Sequence, residues 1–182
     1  MGTLFLRRLT RWQAETEREQ IVDLRIAAHQ ESHPEAAPPD RAELLRAFID
    51  QDVQRPDFDL VLAGDPRPAG CAYGFRAEPD DSWWSGFRER PDELPALAGT
   101  RTVFVVATLV VHPRRRRQGL AGRLQRELLS RAGAPLALAL LTPDNGQGQA
   151  TAQALGWSKA GQLTPRDGVP LDAWSVPLGQ RG

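Results

Sequence analysis

The chain has 182 residues, of which 41% are hydrophobic and 25% are charged, and its formal net charge is zero. This balance fits one soluble domain with a sizeable core, and the zero net charge argues against a protein built to coat nucleic acid or an anionic membrane. The single cysteine, Cys71, excludes an intrachain disulfide and a two-cysteine metal site, and no apolar run is long enough to span a membrane.

The N-terminal residues contain too short an apolar run for a signal peptide, so we expect a cytoplasmic protein. Positive charge is carried by arginine, since Lys159 is the only lysine, and alanine, glycine and proline are abundant. This composition indicates a bacterial source with a GC-rich genome. The three histidines show no spacing typical of zinc ligands, so no metal is expected.

The first elements are predicted from local signals. Thr3–Leu9 has the composition of a short strand. Thr16 and Glu19 form a capping-box pattern, and apolar residues at helical spacing follow it. The pattern predicts a first helix over Glu17–Gln30.

A second helix and a hairpin are predicted next. Asp40 and Glu43 give another capping signal. The apolar face of this helix is predicted to contain Leu44, Phe48 and Val53. Leu60–Ala63 and Gly70–Phe75 are short apolar segments on either side of a Gly-Asp-Pro turn, which indicates a β-hairpin.

Two contrasting segments follow the hairpin. Glu78–Gly99 is rich in proline, glycine and charge but also contains Trp83 and Trp84, so we interpret it as a long excursion within a domain. Thr102–Val111 is a nearly unbroken β-branched run, which predicts a strand buried on both faces.

The last third of the chain alternates between strand and helix patterns. Leucines at helical spacing follow Gly119 and predict an amphipathic helix. A strand, a weak helix and two closing strands are predicted over Pro135–Leu141, Asp144–Ala154, Trp157–Leu163 and Leu171–Val176. The order is strand, two helices, three strands, helix, strand, helix, two strands, which describes a mixed α/β domain.

The most informative segment joins the β-branched strand to this amphipathic helix. The turn between them contains Gly119 and Gly122, small residues that let a ligand approach the main chain closely. The start of a helix offers unpaired N–H groups and the positive end of the helix dipole. Arginines surround this point at positions 114–117 and 123, so the pattern favours a pyrophosphate as the ligand.

This segment resembles the cofactor motif of the GNAT acetyltransferase superfamily, which has Arg or Gln, two residues, Gly, one residue, then Gly or Ala. Arg116, Gly119 and Ala121 occupy those places. Asn145 lies eleven residues before Gly156 and a tryptophan, similar to the second cofactor segment of the family. The resemblance implies one domain over residues 1–182 with a mixed, mostly antiparallel sheet. About seven strands, splayed between the fourth and fifth, and about four flanking helices are expected.

The resemblance also implies roles for individual residues in the transfer of an acetyl group from acetyl-CoA to a primary amine, by direct attack in a ternary complex. A main-chain N–H near Leu109 or Val110 is expected to stabilise the oxyanion, and Leu109 and Val111 are expected to pair with the pantetheine arm. Asn145 is expected to contact the cofactor from the other side. The pyrophosphate is expected to bind the turn made of Arg116, Arg117, Gln118, Gly119, Leu120, Ala121, Gly122 and Arg123.

The sequence departs from the family at two positions. Ala152 stands where many members have a tyrosine that protonates the leaving thiolate, and residues 105–108 lack the carboxylate often found in the central strand. Tyr73, the only tyrosine, is a candidate replacement, although a packing role is the alternative. Trp83 and Trp84 are candidates for the amine-binding surface, with a role in covering the core as the alternative.

Two other classes of function remain open from the sequence. A CoA-binding sensor or scaffold without catalysis fits the missing acid and base. A nucleic-acid-binding module fits the arginine run at 114–117, although no aromatic residues alternate with it. The acceptor amine is not encoded in any pattern that we recognise, and a homodimer is expected only from the family.

Overall fold

The computed structural model describes residues 4–64, 66–94, 97 and 102–179. Within these residues the strands are β1 (Leu6–Leu9), β2 (Asp59–Ala63), β3 (Gly70–Ala77), β4 (Val103–Val111), β5 (Leu136–Leu141), β6 (Ser158–Leu163) and β7 (Leu171–Pro177). The α-helices are α1 (Arg11–Thr16), α2 (Arg18–Ser32), α3 (Arg41–Ala47), α4 (Leu120–Leu129) and α5 (Gly146–Ala154).

The strands form a seven-stranded sheet in the order β1-β2-β3-β4-β5-β7-β6. Strands β4 and β5 are parallel, while the β1–β2, β2–β3, β5–β7 and β6–β7 pairs are antiparallel. The β4–β5 register pairs Val103–Val105 with Leu136–Leu138, a short ladder for strands of nine and six residues. The mixed, mostly antiparallel sheet confirms the predicted fold class, and a ladder of three pairs fits the predicted splay.

The chain forms two compact units, one made of Met1–Phe75 with Ala107–Arg131 and the other of Arg76–Val106 with Ala132–Gly182. The single domain predicted from the sequence stays a prediction.

The first unit has its core between the early helices and the first three strands. Side chains from α1, α2 and the turn after α3 pack on one face of the sheet, against residues such as Leu60, Leu62, Cys71 and Tyr73. Gly70 faces the opposite side, where a Cβ atom would lie 3.0 Å from Leu124 of α4. Because side chains alternate along a strand, α4 covers the second face of the same strands.

The second unit places the excursion after β3 against its own strands. A 3₁₀ helix forms over Ser82–Gly86, and Phe87 bridges to Pro165 in the loop between β6 and β7. A Cβ atom at Gly161 would lie 3.0 Å from the side chain of Leu94. The described part of the excursion is therefore packed on the β6–β7 region.

The helical region before β2 differs from the prediction. Two helices replace the one predicted over Glu17–Gln30, and the capping box is formed by Thr10 and Gln13. Thr16 instead donates its hydroxyl proton to the carbonyl of Trp12, inside the first helix. A total of five α-helices in the described residues thus replaces the expected four.

Asp40 caps α3 as predicted, by accepting a hydrogen bond from the Glu43 N–H. The helix then continues as a π-helical turn over Phe48–Asp52. Strand β4 is less buried than predicted: Val103–Val105 are buried, but Ala107 is exposed and the residues after Thr108 are half-buried. The described helices include none that is both long and apolar enough to cross a membrane.

Candidate functional site

The end of β4 is held in place by hydrogen bonds around His112. The His112 N–H donates to the Ala69 carbonyl over 2.7 Å, and the His112 Nδ1 atom accepts from the Arg114 N–H over 3.2 Å. A Cβ atom at Gly70 would lie 3.0 Å from the Val110 carbonyl oxygen, so the glycine permits a close approach of β3 to β4. These contacts fix the strand end from which the arginine-rich turn departs.

The turn itself contains two residues with left-handed backbone conformation, Arg117 with a φ of 61° and Gly119 with a φ of 73°. A non-glycine residue in this region costs roughly 1–2 kcal/mol, and such strain is often found at ligand-binding turns. Turns that contain left-handed residues can direct successive main-chain N–H groups to one side, which is a common anion-binding arrangement.

The N-terminus of α4 follows the turn directly. Gly119 is its N-cap residue, so the first N–H groups of this ten-residue helix have no side-chain cap. A Cβ atom at Gly119 would meet no atom within 4 Å, which shows open space beside the main chain. Leu120 is buried, whereas Gln118 and Gly119 are exposed. The uncapped helix start and the open space beside Gly119 therefore fit the predicted pyrophosphate site.

The arginines around the turn divide into two groups. Arg116 contacts α2, where its guanidinium donates to the Ala28 carbonyl over 3.4 Å and lies 3.6 Å from Glu31. Arg123 donates to the Leu4 carbonyl over 2.8 Å. Both side chains thus anchor the turn, and the exposed positive charges are those of Arg114, Arg115 and Arg117.

The β4 residues predicted to act in catalysis, Leu109 and Val110, lie in the first unit together with Val111 and the turn. All three are half-buried. The structure thus brings Leu109 through Arg123 together along one continuous strand, turn and helix, as the sequence predicts. The roles of their main-chain groups stay predictions.

Asn145 lies in the second unit, where it is the N-cap of α5. Its side-chain oxygen accepts a hydrogen bond from the Gly148 N–H over 2.8 Å. A Cβ atom at position 148 would lie 2.5 Å from the Asn145 side-chain nitrogen, so the cap requires glycine there. The oxygen of Asn145 is therefore used locally, and its NH₂ group is the part that can serve the predicted cofactor contact.

The two tryptophans of the excursion differ in exposure. Trp84 is buried and donates its indole N–H to the Glu78 carbonyl over 2.9 Å. Trp83 is half-buried and packs edge-to-face against Trp84 and Phe87. The geometry of Trp84 fits a core role, and a role of Trp83 in amine binding stays a prediction.

Tyr73 is 1% exposed and lies at the centre of a polar network in the first unit. Its hydroxyl oxygen accepts from Arg25 over 2.9 Å, its proton is donated to Asp52 over 3.3 Å, and Thr108 is a further hydrogen-bond partner. Burial raises the pKa of Tyr73, with Arg25 opposing the increase. Burial also raises the pKa of Asp52, again opposed by Arg25.

Sequence reasoning missed Arg25, Asp52 and Thr108. A signal for Asp52 was present, because it follows Leu44 and Phe48 at intervals of four and so places a carboxylate on the predicted apolar face. Buried ionisable side chains need partners, which makes such a position notable.

The model of the Acetyltransferase (GNAT) family matches residues 18–157. Comparison with curated protein sequences finds no significant match.

Several solved structures share the fold. The PaiA N-acetyltransferase of Thermoplasma acidophilum, solved with coenzyme A, is 9% identical with a TM-score of 0.65, over 97% of this chain and 100% of that one. An acetyltransferase from Thermus thermophilus is 17% identical with a TM-score of 0.61, over 97% and 98%. The ribosomal-protein-S18-alanine N-acetyltransferase of Escherichia coli is 15% identical with a TM-score of 0.56, over 99% and 97%.

At these identities the structural similarity shows the fold. The family model matches most of the chain, including β4, the turn and α4. The chain therefore belongs to the GNAT family of acetyltransferases.

Proposed function

We propose that the chain transfers an acetyl group from acetyl-CoA to a primary amine by direct attack, with both substrates bound at once. The observation that carries this proposal is the turn between β4 and α4, where left-handed Arg117 and Gly119 precede a helix whose first N–H groups have no side-chain cap. An exposed helix N-terminus beside three exposed arginines suits a pyrophosphate.

Different main-chain groups are assigned to binding the cofactor and to stabilising the transition state. Main-chain N–H groups from Arg117 to Gly122 hold the pyrophosphate, and Leu109 and Val111 hydrogen-bond the pantetheine arm as an added strand. The bound thioester supplies an activated acetyl group. An N–H near Leu109 or Val110 stabilises the negative charge that develops on the acetyl oxygen, and one such donor contributes about 3–4 kcal/mol.

Calorimetric titration with acetyl-CoA tests the binding part of the proposal. We expect saturable binding that free CoA competes away, and no binding at millimolar acetyl-CoA would contradict it. Asn145→Asp tests the predicted contact between Asn145 and the cofactor. The carboxylate keeps an oxygen that accepts from the Gly148 N–H but loses the NH₂ donor. We expect unchanged thermal stability and weaker acetyl-CoA binding.

A CoA-binding sensor without catalysis is the second candidate, and Ala152 favours it because no phenol stands at that position of α5. A panel of amines with detection of the released thiol separates the two functions. Turnover of any amine above the buffer rate supports the transferase, and binding without turnover supports the sensor.

The remaining parts of the proposal come from the sequence. We place the reaction in a bacterial cytoplasm, with a small-molecule or peptide amine as acceptor and without nucleic acid or membrane as partner. A homodimer is the expected assembly, which light scattering after size-exclusion chromatography tests. Binding of nucleic acid that CoA does not displace and that weakens steeply with salt would contradict this part.

A further inference from the structure

The polar network around Tyr73 joins four separate stretches of the first unit. Arg25 lies in α2, Asp52 ends the π-helical turn, Tyr73 lies in β3 and Thr108 lies in β4. Tyr73 and Thr108 are buried, whereas Asp52 is half-buried. The partly exposed carboxylate of Asp52 is therefore connected, through the buried Tyr73 hydroxyl, to the hydroxyl of Thr108, the strand residue directly before Leu109.

The chemistry of the groups fixes the direction of each hydrogen bond. An arginine side chain only donates, so Arg25 donates to the Tyr73 oxygen. An ionised carboxylate only accepts, so the Tyr73 proton is donated to Asp52. Because the Tyr73 proton is donated to Asp52, Thr108 donates its own hydroxyl proton to the Tyr73 oxygen. Both hydroxyl protons therefore point from β4 towards Asp52.

We propose that Thr108, Tyr73 and Asp52 form a relay that removes the proton lost by the acceptor amine. This inference rests on the proposed function, because it needs the reacting amine to lie beside the β4 segment around Leu109. Thr108 receives the proton from the amine. Tyr73 and Asp52 act through Thr108 and are positioning residues. Asp52 thereby takes the place of the carboxylate that β4 lacks.

The proton transfer is balanced in atoms and charge. The amine nitrogen forms a bond to the acetyl carbon while the carbon–sulfur bond breaks, and the sulfur leaves as a thiolate that takes a proton from water. The nitrogen proton passes to Thr108, the Thr108 proton passes to Tyr73, and the Tyr73 proton passes to Asp52. The half-buried Asp52 then releases this proton to solvent.

The environment of Tyr73 favours a relay in which its hydroxyl stays neutral over a mechanism in which Tyr73 ionises. Each hydroxyl gives one proton as it receives one, so neither hydroxyl is left charged. This matters because burial opposes formation of a phenolate at Tyr73. Burial also raises the pKa of Asp52, and a proton acceptor is more effective when its pKa lies closer to the working pH.

Two other aspartates show how specific this arrangement is. Asp59 is half-buried with a pKa raised by burial, but its charged partner is Arg8. Asp172 is buried and is held by Gln149, Gln162 and Lys159 in the second unit. Neither is hydrogen-bonded to Tyr73, so Asp59 is a matched control for Asp52.

The kinetic experiment compares Asp52→Asn, Tyr73→Phe and Thr108→Val with Asp59→Asn. Each relay variant should lower kcat by about 10²–10⁴-fold, the usual contribution of a positioned acid or base, while KM and Kd for acetyl-CoA stay unchanged. Asp59→Asn should keep the wild-type kcat. The three relay variants remove different atoms, so loss of folding in one leaves the others as tests.

A second readout does not depend on activity. Tyr73 is the only tyrosine, so tyrosine labelled with ¹³C at Cζ gives one NMR resonance. Arg25 from α2, Asp52 from the π-helical turn and Cys71 from β3 are the charged or titratable groups that face Tyr73. Burial raises the pKa of Cys71 to about 12, so an acid-range titration of the Tyr73 resonance reports Asp52. We expect this step in wild type and Asp59→Asn, and its loss in Asp52→Asn.

The outcomes separate this inference from the proposed function. Wild-type kcat in Asp52→Asn, Tyr73→Phe or Thr108→Val, or an acid-range titration step of the Tyr73 resonance that persists in Asp52→Asn, would overturn the relay and leave the transferase intact. Failure of the wild-type chain to bind acetyl-CoA, or to acetylate any amine of the panel, would overturn the proposed function and the relay with it. Loss of kcat with unchanged acetyl-CoA affinity supports both.

Discussion

Gly119→Ala tests the pyrophosphate site with the smallest change that the turn permits. Gly119 has a φ of 73°, and a Cβ atom there would meet no other atom within 4 Å. The substitution therefore introduces no clash, and its cost to folding is the cost of a left-handed alanine, about 1 kcal/mol. The variant should fold with a slightly lower melting temperature.

The effect on the cofactor should be much larger than the effect on the fold. The added methyl group occupies open space beside the first N–H groups of α4, where the pyrophosphate is proposed to bind. Loss of one hydrogen bond to a charged group costs about 1.5–3 kcal/mol. The Kd for acetyl-CoA should therefore rise by about 10-fold to 100-fold.

Gly133→Ala is the matched control. Gly133 has a φ of 63°, and a Cβ atom there would lie 3.2 Å from the guanidinium of Arg76, the end of a flexible side chain, but it lies outside the turn. Calorimetry should show wild-type acetyl-CoA affinity for Gly133→Ala and weakened affinity for Gly119→Ala, with similar losses of stability by urea unfolding. Equal affinities in the two variants would refute the assignment of the turn.

Three further predictions concern the strain, thiol and acid stability of the chain. Arg117→Gly should raise the free energy of unfolding by about 1 kcal/mol in urea titrations, because glycine adopts the φ of 61° without strain. An unchanged free energy of unfolding would mean that Arg117 is unstrained. Burial raises the pKa of Cys71 to about 12, so a thiol reagent at neutral pH should label the unfolded but not the native chain. Hydrogen bonding by Gln162, followed by Lys159, lowers the pKa of Asp172, so its stabilisation is present above the unfolded-state value of 3.8 and is lost as pH falls through the folded-state value. The difference in stability between wild type and Asp172→Asn should therefore shrink as urea titrations move from neutral to strongly acidic pH, and a constant difference would contradict this.

The segment from β4 to α4 could be predicted because its signals are local. A β-branched run favours an extended strand, Gly119 permits a positive φ, and leucines at intervals of four give one apolar helix face. The hairpin and the cap at Asp40 followed from equally short patterns. Each depends on residues within a few positions of one another.

The helix boundary near Thr16 shows where local signals fail. Thr10 with Gln13 and Thr16 with Glu19 are both capping patterns, and the chain uses only the first. Burial of Ala14 and Ile21 in one core sets where the helices begin, so packing decided between two locally acceptable caps.

By itself the sequence determined all the strands, most of the helices and the glycine-containing turn between β4 and α4, because these depend on backbone conformation and on the spacing of apolar side chains over one or two turns. Only the tertiary structure brought Arg25, Asp52, Tyr73 and Thr108 together. These residues are up to 83 positions apart (108 − 25), and their contacts depend on strand pairing and on helix packing against the sheet. No local pattern specifies such contacts, since the energy that holds them comes from burying the whole core at once.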